Sequence, residues 1–133
     1  MICIYCGGDT QVINSRLQKR PNQVWRRRKC VECAAIFSTH ESVAYDAVWR
    51  VKKADGMLVP FVRNKLFISL YKSLAHRPSA IDDATALTDT IMGQLLKSSP
   101  NGLLLVASVR DTAHTVLERF DKAAAVSYQA FHP

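Results

Sequence analysis

The sequence predicts an α+β fold in two parts: a small β module first, then a β-hairpin leading into four helices. Three observations predict it. Two C-x2-C pairs, Cys3/Cys6 and Cys30/Cys33, bracket a basic stretch that holds few large aliphatic residues. Asp55-Gly56 is a hairpin turn between two short segments rich in apolar residues. From Leu66 onward the apolar residues recur at helical spacing instead of alternating.

The cysteine pairs come first because the β module needs a source of stability other than a core. With 23 residues between them, they include every cysteine in the chain. An x2 spacing lets one tight turn aim two thiolates at a single ion, and two such turns complete a tetrahedron. Gly7 and Gly8 supply the permissive backbone that the first turn favours. Four thiolates leave no open coordination position, so a zinc ion here is structural and contributes folding free energy to a module of about forty residues. Two disulfides, or unconnected thiols, are the plain alternative, and an iron–sulfur cluster uses the same four donors. The ribbon spacing favours zinc.

Between the pairs, Pro21-Asn22 reads as a turn, and Gln23 to Lys29 as a basic strand running into Cys30. Alternation puts Arg26 and Arg28 on one face and Trp25 and Arg27 on the other. Guanidinium groups take phosphate oxygens in pairs, and Trp25 offers a ring face to a base or an arginine. A solvated charged strand is the simpler reading. Ile36 to Thr39 reads as a further strand with Phe37 packing the module, and His40 as a surface or linker residue rather than a fifth ligand.

The boundary is expected in the polar stretch Glu41 to Asp46, giving modules at 1–42 and 47–133. Ala47 to Lys53 reads as a strand, Asp55-Gly56 as its turn, and Met57 to Phe61 as the return strand. Leu66, Phe67, Leu70, Tyr71 and Leu74 then make the first helical stripe, which Pro78 ends. Ser79 is the expected N-cap of a second helix whose inner stripe is Ile81, Ala84, Leu87, Ile91 and Leu95. Pro100-Asn101-Gly102 breaks the chain. Ser108 and Asp111 resemble a capping box before a third stripe of Val109, Ala113, Val116, Leu117 and Phe120. Asp121 is the expected cap of a last short helix containing Val126 and Tyr128. Lys52, Lys53 and Lys65 are expected to converge near the hairpin and the first helix's N-terminus, where unpaired N–H groups attract phosphate. Solubility is the competing reason for those lysines.

Composition narrows the class of activity. The 18 Lys+Arg against 11 Asp+Glu give a net charge of +7, which favours a polyanionic partner. Residues 1–42 carry seven basic and three acidic residues, against eleven and eight in residues 43–133. The basic excess per residue is therefore higher in the first module. No apolar run approaches a membrane span, and no basic-then-apolar leader opens the chain, so a cytoplasmic protein without a membrane partner is expected. A Walker loop, a nucleophile context and a paired acidic metal motif are all missing, which points to a binding protein and not an enzyme. His76, His114 and His132 read as surface or packing residues.

Taken together, Cys3-Ile4-Tyr5-Cys6-Gly7, Asn14-Ser15-Arg16, Arg26-Arg27-Arg28-Lys29-Cys30 and Phe37-Ser38-Thr39-His40-Glu41 resemble the zinc ribbon of the NrdR family, bacterial repressors of ribonucleotide reductase operons. Val51-Lys52-Lys53, Asp55-Gly56, Pro60-Phe61 and Lys65-Leu66 resemble the opening of that family's ATP-cone. The resemblance implies a structural Zn2+ on Cys3, Cys6, Cys30 and Cys33, and ATP or dATP bound without being consumed. It also implies a homo-oligomer whose assembly depends on the nucleotide, and double-stranded operator DNA as partner. Val51, Lys52, Lys53 and Lys65 would contact nucleotide; Arg16, Arg26, Arg27 and Arg28 would contact DNA. The chain departs from the family's pattern at Val59 and Val62, where Glu and Asp are usual, at the extra Ala54, and in the alanine-rich run Ala123 to Ala125. Those departures keep a second expectation open: a zinc-ribbon adaptor or oligomerisation protein whose cone holds no nucleotide.

Overall fold

Strand pairing organises the first part of the chain and helix packing the second. The computed structural model describes residues 1–99 and 101–133, which divide into two units, Met1–Val43 and Ala44–Pro133. The mixed α and β architecture agrees with the expected fold class, and several elements within it differ.

In the first unit β1 (Thr10–Gln18), β2 (Gln23–Cys30) and β3 (Ile36–Ser42) form an antiparallel sheet in the order β1-β2-β3. The β1–β2 turn is closed by the Asn22 N–H donating to the Lys19 carbonyl at 3.2 Å, with Asn22 at φ 48°. Asparagine tolerates that left-handed backbone better than most residues. A bulge between Val12 and Asn14 interrupts the β1–β2 register, and β3 extends beyond Thr39 to Ser42. Among the described residues of this unit only Cys3 and Cys30 are buried side chains. A sheet with so small an interior cannot offset the entropy of ordering its chain by apolar burial alone.

The second unit opens on α1 (Tyr45–Val48), where a strand was expected from Ala47. The reason is Trp49. Its indole is buried between Tyr45, with ring centroids 4.5 Å apart, and Phe61, at 5.3 Å, and one helical turn brings Tyr45 under it. The strand is therefore shorter, β4 (Arg50–Lys52), and pairs antiparallel with β5 (Leu58–Pro60). The hairpin does not stand alone. β6 (Leu103–Leu105) pairs parallel to the other side of β4 and makes the sheet three-stranded, in the order β5-β4-β6.

Four longer helices cover this sheet: α2 (Arg63–Ser73), α3 (Ala80–Ser98), α4 (Val106–Phe120) and α5 (Lys122–Phe131). Leu70, Leu74, Ala84, Ile91, Leu95, Leu104, Ala113, Leu117 and Ala124 are fully enclosed and form its centre. Three expected stripe positions face outward instead, with Ile81 63% exposed, Phe120 42% and Tyr71 39%. Phe120 is covered in part by the Arg77 guanidinium, 4.7 Å from its ring.

The helix ends also need correction. The α2 helix stops at Ser73, before Pro78 can act on it. Ser79 does precede α3, but its hydroxyl donates to Asp83 Oδ2 at 2.6 Å instead of capping a backbone N–H. Ser108 is not a cap, because β6 runs directly into α4 and places the N-cap at Leu105. Asp121 does cap α5, its Oδ1 accepting the Ala124 N–H at 3.1 Å. Of the expected break at 100–102, Pro100 lies outside the described residues; Gly102 adopts φ 68° beside Trp49.

Candidate metal centre and binding surfaces

Two short turns carry the cysteines, and backbone bonds close each of them. Cys3 donates its N–H to the Gly8 carbonyl at 2.8 Å and accepts from the Gly7 N–H at 3.0 Å. In the second turn the Cys30 N–H donates to the Ala35 carbonyl at 2.9 Å, and the Val31 N–H crosses to Asp9 at 3.0 Å. Each turn buries its first cysteine and exposes its second. The residue after each second cysteine is left-handed, Gly7 at φ 77° and Ala34 at φ 58°. Sequence reasoning noticed Gly7 but not Ala34; its position, one residue after a C-x2-C pair, was the available signal.

The four sulfur atoms lie within 4.8 Å of one another, with Cys3 to Cys33 at 3.7 Å and Cys6 to Cys30 at 3.5 Å. Zinc–thiolate bonds of about 2.3 Å in a tetrahedron place sulfurs about 3.8 Å apart, so the donor set fits one zinc ion. Backbone N–H groups already point at the sulfurs: Tyr5 to Cys3 at 3.4 Å, and Glu32 and Cys33 to Cys30 at 3.4 and 3.5 Å. The titration of the cluster follows. Cys3 is drawn down to about 7, first by the Tyr5 N–H and then by that of Cys6. Cys6 is pushed up to about 12, because the Gly8 N–H, which pulls it down, is outweighed by the crowded sulfurs of Cys30 and Cys33 and by desolvation. Protein donors accommodate the first thiolate; a central dication is what four together require.

The pleat of the sheet sorts the basic residues. Arg26 donates to Ser15 Oγ at 3.1 Å and pairs with Glu41 Oε2 at 3.1 Å. On the same face Arg28 reaches the hydroxyls of Thr39 and Thr10, each at 3.4 Å. Trp25 and Arg27 occupy the opposite face. Trp25 sits between Arg16 and His40, and Arg27 between Asn14 and Ser38. The Arg16 guanidinium is 6.0 Å from the Trp25 ring.

In the second unit a cavity of about 440 Å³ opens beside the hairpin, within the size range of small-molecule sites. Val51, Lys53 and Lys65 line it, whereas Lys52 is exposed on β4 and is not among its walls. Arg110 also lines it but is engaged, donating to Asp111 Oδ1 at 3.4 Å and to the Pro133 carbonyl at 2.6 Å, and no carboxylate side chain is in the wall. The N-terminal residues of α2 and α4 form part of the wall. Neither helix has a side-chain cap or an acidic residue in its first turn, so their leading N–H groups keep their partial positive charge. Val59 and Val62 also face the cavity. Sequence periodicity had no means of bringing in Arg110, or the Ser69–His132 hydrogen bond at 2.8 Å that closes one side, since both depend on contacts distant along the chain.

Comparison with known proteins points to one family. Residues 1–41 match the zinc-ribbon family described as "Transcriptional repressor NrdR-like, N-terminal domain". The chain is 36% identical over 132 residues to the transcriptional repressor NrdR of Fervidobacterium nodosum, covering 98% of this chain and 83% of that protein. It is 38% identical over 99 residues to the transcriptional repressor NrdR of Nitrosomonas europaea, covering 74% of this chain and 62% of that protein.

Proposed function

This chain belongs to the NrdR family of transcriptional repressors, and from that premise we propose that it is a nucleotide-responsive repressor of ribonucleotide reductase genes. In this reading the Met1–Val43 unit holds one structural zinc on Cys3, Cys6, Cys30 and Cys33 and binds double-stranded operator DNA. The DNA-contacting element is the three-stranded sheet of that unit, whose basic residues include Arg16 and Arg27. The second unit takes ATP or dATP in the cavity lined by Val51, Lys53 and Lys65 and responds by changing how copies of the chain assemble. The protein binds its nucleotide without turning it over.

One observation carries the nucleotide part of this reading. Lys53, Lys65 and the uncapped N-termini of two helices surround a single cavity that has no carboxylate side chain in its wall, beside an Arg110 engaged by Asp111 and the Pro133 carbonyl. Such a cavity selects an anion, and phosphate is the anion that helix N-termini and lysines accept together. Val51, Val59, Phe61 and Leu66 supply an apolar wall against which a base can lie. A change of assembly follows if the nucleotide binds one association state more tightly than another.

Val59 and Val62 favour a second reading, an adaptor whose cavity binds no nucleotide, because they offer no acceptor for the hydroxyls of a sugar or the amino group of a base. Calorimetry with ATP and dATP on the zinc-loaded chain, with mass followed by light scattering in the same samples, separates the two. Binding with a change of mass is the expected result. No heat and no mass change up to millimolar nucleotide would leave the adaptor.

A further inference from the structure

The arginines Arg26, Arg27 and Arg28 are consecutive in sequence but not equivalent in space. β2 is the middle strand of its sheet, so both of its neighbours are filled and its side chains leave on two faces only. On one face the cations are already engaged. Arg26 is held by Ser15 and by the carboxylate of Glu41, and Arg28 bridges Thr10 and Thr39. These bonds tie β2 to β1 on one side and to β3 on the other, which is how a sheet without an apolar interior keeps its strands in register.

The other face is arranged differently. Arg27 and Lys29 are exposed, while Arg28 and Cys30 between and beyond them are turned in. Among the described residues neither Arg27 nor Lys29 makes a side-chain hydrogen bond or ion pair. Arg16 on β1 pairs directly across from Trp25, with its guanidinium near that ring, and no acidic side chain lies on this face of the three strands. A cation whose nearest partner is a carboxylate must lose that partner before it can take a phosphate. One that meets only water and an aromatic ring need not.

We infer that the Trp25 face of the sheet is the DNA-binding face, that Arg16, Arg27 and Lys29 carry its phosphate contacts, and that Arg26 and Arg28 hold the ribbon together. The assignment rests on the DNA-binding reading proposed above and narrows it to one face. It also brings in Lys29 and sets two of the three consecutive arginines apart.

Salt dependence tests it, because each phosphate contact contributes about 0.9 to the slope of log affinity against log salt on duplex DNA, whatever the sequence. The full zinc-loaded chain would be titrated onto a mixed-sequence DNA duplex over a range of salt concentrations. It would be compared with Arg27→Gln, Lys29→Gln, Arg26→Gln and Arg28→Gln, with zinc content measured for each. Glutamine removes the charge and keeps a polar stem, so Arg26→Gln and Arg28→Gln retain a donor for Ser15 and the threonines. The expected result is a slope about one contact shallower for Arg27→Gln and Lys29→Gln, restored by Arg27→Lys, with an unchanged slope but a lower melting temperature for Arg26→Gln and Arg28→Gln. A slope reduced by Arg26→Gln or Arg28→Gln at full zinc content, with Arg27→Gln like the parent, would overturn the face assignment alone. Parent protein showing no salt-dependent binding would overturn the DNA-binding reading and this assignment with it.

Discussion

Ala34 and Gly7 occupy equivalent places, each following the second cysteine of a pair, and only one of them is the residue such a backbone prefers. A left-handed conformation costs a residue with a Cβ roughly 1–2 kcal/mol, while glycine loses roughly 0.4–1 kcal/mol more in chain entropy on folding. Ala34→Gly is therefore expected to stabilise the ribbon by up to about 1 kcal/mol and to slow zinc loss to a competing chelator; faster loss would contradict this. In the cysteine cluster, Cys30→Ser removes a buried sulfur to which the Glu32 and Cys33 N–H groups point. Loss of bound zinc and of the sheet is the expected outcome, read by metal analysis and circular dichroism. These cysteines were legible because two x2 pairs are the spacing that favours a shared metal ion. The left-handed Ala34 is announced only by its place after a C-x2-C pair, since alanine itself has no local preference for that backbone.

Among the elements, the junction of α2, α3 and α5 is fastened by charge. Arg77 donates to Asp83 at 2.8 Å and to Asp121 at 3.0 Å, and His76 meets Asp121 at 3.0 Å. Asp121 is held at about 2, first by the Ala124 N–H it caps and then by His76, against its ordinary 3.8. A carboxylate depressed in the folded state contributes stability that is present above its unfolded value and is lost as pH falls through its folded value. The helical unit is therefore expected to lose stability between pH 3.8 and about 2, and Asp121→Asn to remove part of that dependence. Melting temperatures of both proteins across this window check it, and parallel curves would contradict it. Asp121 could be read as a cap from sequence because a cap is local. Ser108 is not the cap because β6 hands its chain straight to α4, and pairing with β4, 53 residues away in the chain, decides where that helix starts. The Ala47 strand failed for a similar reason: burial of Trp49 against Phe61 outweighed local alternation.

For the molecule as a whole, the two units draw on different sources of stability. The Met1–Val43 unit has two buried cysteines and almost no apolar interior, whereas Ala44–Pro133 is organised around Leu70, Ile91, Leu95 and Leu117. Zinc chelation is thus expected to melt the β signal of the first unit and leave the helical signal of the second, and a single concerted loss of both would contradict separate folding. Leu70→Ala is expected to do the reverse, costing the helical unit roughly 2–5 kcal/mol while zinc stays bound. The helical stripes made this division visible in the sequence. The cavity was half visible: Val51, Lys53 and Lys65 stand near the hairpin, but Arg110 and the start of α4 reach it only through tertiary packing. The most direct test of the account is equilibrium binding of the zinc-loaded chain, at fixed salt, to duplex DNA from the promoter of a ribonucleotide reductase operon, with and without ATP and dATP. One nucleotide state is expected to bind this DNA several-fold more tightly than another, a coupling in the usual range of roughly 5–150-fold. The same affinity in every nucleotide state would contradict it.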